Sequence, residues 1–132
     1  MLPELKDGLF YFAHEYSVIR PDGEYAFRGN AANFQICCYR SGKLLLAGYV
    51  IYSPIAHTHS IQYASPDFMK QSGKEEHDYW IELDIEFIKR ANFTGIILAP
   101  GWEKSRGCLG EKKHFEDEGK PVLFYKDLIT EV

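Results

Sequence analysis

Asp84 and Glu111 are acids set where a packed helix wants hydrocarbon. Along residues 75–91, at roughly 100° per residue, Trp80, Phe87 and Ala91 gather on one stripe with Leu83 and Ile88 at its edges, and Asp84 falls inside it. Along residues 105–119, Cys108, Leu109 and Phe115 face inward, and Glu111 lies between Cys108 and Phe115 on that face. An unpaired carboxylate in apolar surroundings loses several kcal/mol of hydration or keeps its proton. Two of them therefore suit acid, base or nucleophilic work. The competing reading is structural, since an acid on a helix stripe also arises where it caps a loop or meets an arginine.

Other polar groups sort around these two. Residues 53–60 read SPIAHTHS, and His57 and His59 point the same way if this stretch is extended. A metal needs a third ligand that no spacing supplies, so substrate contact is the expectation and no metal is expected. Residues 101–111 read GWEKSRGCLGE, a strand-to-helix turn that matches neither the dinucleotide fingerprint nor the P-loop. Ser105, Arg106 and Gly107 open the helix there, where free backbone N–H groups suit a phosphate or a sugar hydroxyl. Tyr11 lies in a strand and Tyr16 in the loop after it, each able to hydrogen-bond across a crevice or simply to pack. Arg28 is either a surface cation or one that reaches an anion. No GxSxG turn occurs, which disfavours acyl transfer through a nucleophile elbow.

The elements that must position these groups alternate. A buried strand is expected over 8–13, a loop over 14–23 with Arg20-Pro21-Asp22-Gly23 as its turn, and a helix over 24–40 stopped by Ser41-Gly42. A second strand over 45–52 ends at Ser53-Pro54. A long loop follows over 55–74, then the helix over 75–91, a strand over 94–99, the helix over 105–119 and a last strand over 121–125. This order predicts a three-layer α/β domain, Rossmann-like or flavodoxin-like, with a mainly parallel sheet of four or five strands. In such sheets ligands bind beyond the carboxyl ends of the strands, here 14–17, 53–59 and 100–107.

Bulk properties narrow the function classes. A length of 132 residues suits one domain, and 45% hydrophobic with 26% charged residues is the make-up of an ordinary globule. A net charge of −4 argues against nonspecific binding to nucleic-acid polymers or anionic membranes, though a nucleotide can still bind locally. The N-terminal residues have neither a basic nor an apolar leader region, and no apolar run approaches spanning length, so a cytoplasmic location is expected. Cys37, Cys38 and Cys108 leave an odd thiol and no CxxC pair, which suits a reducing compartment.

FYFAHEYS at 10–17, Arg28, SPIAHTH at 53–59, Trp80 four residues before Asp84, and PGW-x-x-SRG-x-x-x-E at 100–111 together resemble an uncharacterised bacterial and phage family of the nucleoside 2-deoxyribosyltransferase-like superfamily. The resemblance spans nearly the whole chain, and its last motif is the most specific. It implies that Glu111 attacks C1′ of a deoxyribosyl group, that Asp84 serves the leaving base and that Tyr11 orients Glu111. By the same resemblance the substrate is a small nucleoside or its 5′-monophosphate; the residues expected to meet it are Tyr16, Ser17, Arg28, His57, His59, Trp102, Ser105, Arg106 and Gly107. No cofactor is implied, and a homo-oligomer is. The transferases carry an aspartate six residues before the nucleophile, where this chain has Ser105, closer to what related deoxynucleoside 5′-monophosphate hydrolases use near phosphate. Transfer and hydrolysis both stay open. The alternative class is a nucleotide-binding or sensing module on the same scaffold, without turnover.

Overall fold

A computed structural model describes residues 3–16, 27–65, 67 and 76–130, the side chains of 27–30 and 76–78 excepted. Strand β1 (Phe10–Ala13) is buried at every position, as its run FYFA requires. It pairs in parallel with β2 (Ile51–Tyr52) on one side and β3 (Gly95–Leu98) on the other, and β3 pairs in parallel with β4 (Val122–Phe124). The order β2-β1-β3-β4 makes a four-stranded, all-parallel sheet. Parallel neighbours demand crossovers, and helices supply them: α1 (Phe27–Leu46), α2 (Pro54–Ala64), α3 (Glu76–Ala91), a 3-10 turn (Trp102–Lys104), α4 (Arg106–Asp117) and the short α5 (Tyr125–Leu128).

Alternate residues of each strand point to opposite faces, so the core splits into two layers. Tyr11, Ala13, Ile96 and Leu98 pack with Ile88 of α3, Phe93, and Cys108 and Phe115 of α4. Phe10, Phe12, Ile97 and Ala99 pack with Cys37 and Leu44 of α1 and Tyr125 of α5. The result is the three-layer Rossmann-like arrangement expected from the alternation of elements. The chain runs from β1 outward to β2, then crosses back past β1 to reach β3. The crevice of the fold therefore opens between the ends of β1 and β3, which Ala99 N joins by donating to Ala13 O at 3.0 Å.

Several boundaries differ from the sequence reading. Helix α1 runs through Ser41-Gly42 instead of stopping there. Ser41 Oγ donates to Cys37 O at 2.7 Å inside the helix, and beyond it Leu44 is fully buried, so packing outweighs the modest cost of an internal glycine. The helix ends instead at Gly48, whose φ of 93° allows Gly48 N and Tyr49 N to close on Leu45 O and Leu44 O, both at 3.0 Å. Residues 45–50 are thus lost to the expected second strand, and β2 keeps only two residues.

The first part of the expected loop over 55–74 is helix α2. Ser53 caps it by accepting from Ala56 N at 3.3 Å, and Pro54 sits at its start, where a missing N–H costs nothing. Ser53-Pro54, read as the end of a strand, is equally the start of a helix. Residues 66 and 68–75 lie outside the described residues, as do 17–26, which hold Ser17 and the turn 20–23. Leu109 is 43% exposed, so the inward stripe of α4 is narrower than expected. Tyr125 opens α5 rather than closing the last strand.

Candidate functional site

Three elements bring one phenol and two carboxyls together. Tyr11 projects from the middle of β1 into the α3–α4 layer, wholly buried among Phe93, Tyr52 and Phe115, with ring centroids 5.4, 6.1 and 5.9 Å away. Asp84 faces it from α3 and Glu111 from α4. Both residues keep some exposed surface, yet their inward oxygens Oδ1 and Oε2 have essentially none, nor does Tyr11 Oη. None of these three atoms has a hydrogen-bond partner. The Tyr11 hydroxyl lies near enough to both carboxyls to favour their ionised forms, without closing a hydrogen bond to either oxygen.

The electrostatics follow from burial and from likeness of charge. Burial pushes the Asp84 carboxyl up to about 7. Burial, and then the charge of Asp84, push Glu111 up to about 8. Tyr11 is raised well above the usual tyrosine range by burial and by both acids. Among the described residues no salt bridge reaches either acid. The ion pairs of α4, Lys112–Glu116 at 2.9 Å and Lys113–Asp117 at 2.8 Å, lie further along the helix. Two interacting carboxyls of this kind titrate as a unit, and near neutrality the pair holds a single proton. It then presents one carboxylic acid and one carboxylate beside Tyr11.

Around the acids, α4 starts with Ser105 as its N-cap, the side chain accepting from Cys108 N at 3.2 Å. A β-carbon placed on Gly107 would lie 3.8 Å from Ser105 Oγ and 3.9 Å from Glu111 Oε1, so these two oxygens border the same spot on the helix surface. Arg106 is exposed. Trp102 is taken up in packing, 5.7 Å from the Phe124 ring and 5.5 Å from Lys112 Nζ.

The two histidines do not point together, because two positions on a helix are roughly 200° apart. His57 is exposed and lies 3.1 Å from Tyr52 Oη. His59 stacks on Phe34 at 4.0 Å, and its Nδ1 is 2.6 Å from Tyr16 Oη; burial lowers the pKa of this imidazole. Arg28 lies on α1, but its side chain is outside the described residues. A depression of about 400 Å³ is lined by Tyr79, Glu82, Leu83, Ile85, Glu86 and Lys89 of α3 and includes neither acid.

Two groups beside the site, and one on the opposite layer, escaped the sequence reading. Tyr52 neighbours Tyr11 in sheet register and feels the charge of Asp84, a relation that only strand pairing reveals. Glu15 rests against Gly101, which has a φ of 95° and where a β-carbon would come within 2.7 Å of Glu15 Oε1. That carboxylate sits at the crevice between β1 and β3. His14, on the opposite layer, donates from Nδ1 to Glu15 O at 2.7 Å and accepts at Nε2 from Arg40 at 2.8 Å; burial, and to a lesser degree the Arg40 charge, lower the pKa of this imidazole against the Glu15 bond. The buried thiols Cys37 and Cys108 are pushed up to about 11 and about 12, so neither is a ready nucleophile.

The model of a family described as a domain of unknown function, DUF1937, matches residues 8–127 and so takes in every group of this site. The chain belongs to the DUF1937 family. No curated protein matches it. Within this DUF1937 chain Tyr11, Asp84 and Glu111 come from the first strand and two later helices, so the matched span is also what assembles them.

Proposed function

We propose that this protein cleaves or transfers the N-glycosidic bond of a deoxyribonucleoside or its 5′-monophosphate, as a member of the nucleoside 2-deoxyribosyltransferase-like superfamily. The observation that carries the reading is the pair Asp84–Glu111, two carboxyls raised toward neutrality, each with one oxygen shut off from solvent, beside a buried tyrosine. Such a pair supplies both a nucleophile and a proton donor, which is what displacement at an anomeric carbon requires.

In this account the proton that the coupled pair shares lies on Asp84 once substrate is bound, and the Glu111 carboxylate attacks C1′. The C1′–N bond breaks with its electron pair on the base, Asp84 gives the base its proton, and a glycosyl ester forms on Glu111. Water or a second base then attacks C1′ and releases the Glu111 carboxylate, so the anomeric configuration is retained over two inversions. Tyr11 holds the Glu111 rotamer. Ser105, Arg106 and Gly107, at the opening of α4, meet the sugar or its phosphate. The site is completed in a homo-oligomer.

The test is incubation with deoxynucleosides and deoxynucleoside 5′-monophosphates, following free base by chromatography. Glu111→Ala and Glu111→Gln are expected to lose at least about a thousandfold in rate. An acceptor base added to the same reaction separates transfer from hydrolysis. Substrate binding without turnover by the native protein would leave a nucleotide-binding module in place of an enzyme.

A further inference from the structure

The crevice holds a third acid that the glycosidic mechanism leaves unused. Side chains along β1 alternate, Phe10 and Phe12 entering the α1 layer, Tyr11 and Ala13 the layer of α3 and α4. Past the strand end the alternation continues. His14 lies edge-on to Phe12 at 6.0 Å and meets Arg40, while Glu15 falls on the side of Tyr11. There both oxygens of its carboxylate rest on Gly101, 2.7 and 3.4 Å from where a β-carbon would stand, room that only a glycine leaves. Gly101 begins the turn that leads to the acid site. Lys104 N donates to Gly101 O at 3.2 Å and Ser105 N to Trp102 O at 3.1 Å, which folds the cap of α4 back toward Gly101. The first turns of α4 then bring Ser105 Oγ and Glu111 Oε1 to the same spot beside Gly107. Gly101, and Glu15 against it, thus stand one short turn ahead of the helix that carries Glu111, on the same face of the sheet. The Cys108 thiol, raised by burial first, also feels Glu111 and, more weakly, Glu15.

The chain itself leaves this carboxylate unpaired. Glu15 is half-buried, and its one hydrogen bond among the described residues is made by its carbonyl, which accepts from His14 Nδ1 at 2.7 Å. Among the described residues no cation pairs with it, and Lys104 and Arg106 of the same connection are exposed. A half-buried anion has lost part of its hydration, and a ligand that donates a hydrogen bond restores it. We infer that Glu15 reads the sugar of the substrate, accepting a hydrogen bond from one of its hydroxyls and rejecting a phosphate at that position. The sugar hydroxyls are the donors carried by the ring whose C1′ meets Glu111, whereas the amino groups of a base lie at its far edge. A phosphate would set like charge against Glu15.

This role for Glu15 rests on the glycosidic reading, and the hydroxyls at 3′ and 5′ both carry its chemistry. Base release is measured from each common deoxynucleoside and from its 2′,3′-dideoxy and 2′,5′-dideoxy counterparts, for native protein, Glu15→Ala and Glu15→Gln. On the deoxynucleoside, Glu15→Ala is expected to lose about ten- to a hundredfold in kcat/KM, and Glu15→Gln less, since its amide oxygen still accepts. On the counterpart lacking the hydroxyl that Glu15 holds, both losses are expected to shrink to within about threefold. The nucleotide phosphorylated at that hydroxyl is expected to gain about tenfold in Glu15→Gln over native protein, because the like charge is gone. Equal losses on all three substrates would overturn this role and leave Glu15 as a prop for the turn at Gly101. Unchanged rates in both variants would overturn it as well. If native protein releases base from none of the compounds, the glycosidic reading falls and calorimetric binding of the same compounds decides. A preference for the full nucleoside that vanishes in Glu15→Ala keeps the hydroxyl site, and no preference overturns it.

Discussion

A carboxyl group in a folded protein keeps its proton for one of two reasons, loss of water or proximity to another negative charge, and Glu111 has both. Tyr11 works against them, because its hydroxyl favours the ionised form of each acid. Tyr11→Phe should therefore move the titration of the pair, and with it the pH profile of base release, to higher pH; a profile unmoved or moved lower would show that the hydroxyl does not reach the acids. At this scale the sequence was most informative. The stripes of α3 and α4 were legible enough to mark Asp84 and Glu111 as inward-facing, since a helical period needs only local residues. Tyr52 and Glu15 were not legible, because their neighbours come from strand register and from a left-handed Gly101, neither of which a single stretch of chain encodes. His57 and His59 pair only in an extended segment, and theirs is helical.

Elements are where local signals competed. Ser41-Gly42 carries the marks of a helix end and lies inside α1, while Gly48 carries the actual stop. The competition has measurable consequences. Outside its chain neighbours and the helix's own backbone, no atom lies within 4 Å of a β-carbon placed on Gly42, so Gly42→Ala should stabilise the protein by roughly 0.5–1 kcal/mol. A β-carbon on Gly48 would meet Glu4 O at 2.3 Å with φ at 93°, so Gly48→Ala should cost on the order of 2 kcal/mol or more. Denaturant midpoints of the two variants check both, and midpoints shifting in the same direction would mean that α1 does not end where it is placed. Ser53→Ala belongs to the same test, since losing the cap of α2 should cost about 1 kcal/mol. The strands were legible in kind because runs such as FYFA and GIIL have no place outside a buried sheet, and less so in extent, because β2 is held by its neighbour and not by its own composition.

Over the whole molecule the acid pair sets a conflict between stability and use. Glu111 keeps its proton in the fold to about 8, while in the unfolded chain it ionises near its ordinary value of 4.5. Across that window the native state holds a proton that the unfolded state has released, so stability falls as pH rises through it and levels above it. Asp84 adds the same sign between 3.8 and about 7. Glu111→Gln removes the ionising group, so above pH 8 it should be more stable than the native protein by on the order of a few kcal/mol. Thermal unfolding against pH checks this, and a variant less stable than the native protein at alkaline pH would contradict it. The three-layer architecture is legible from the order of elements, whereas the meeting of Tyr11, Asp84 and Glu111 from β1, α3 and α4 depends on the sheet order. The measurement that bears most directly on that meeting is a carboxyl-carbon NMR titration of Glu111 in native protein and in Asp84→Asn. Glu111 should titrate well above the ordinary glutamate range in the native protein and lower once Asp84 loses its charge. A Glu111 that titrates like an exposed glutamate, or that ignores the substitution, would contradict the pairing of the two acids.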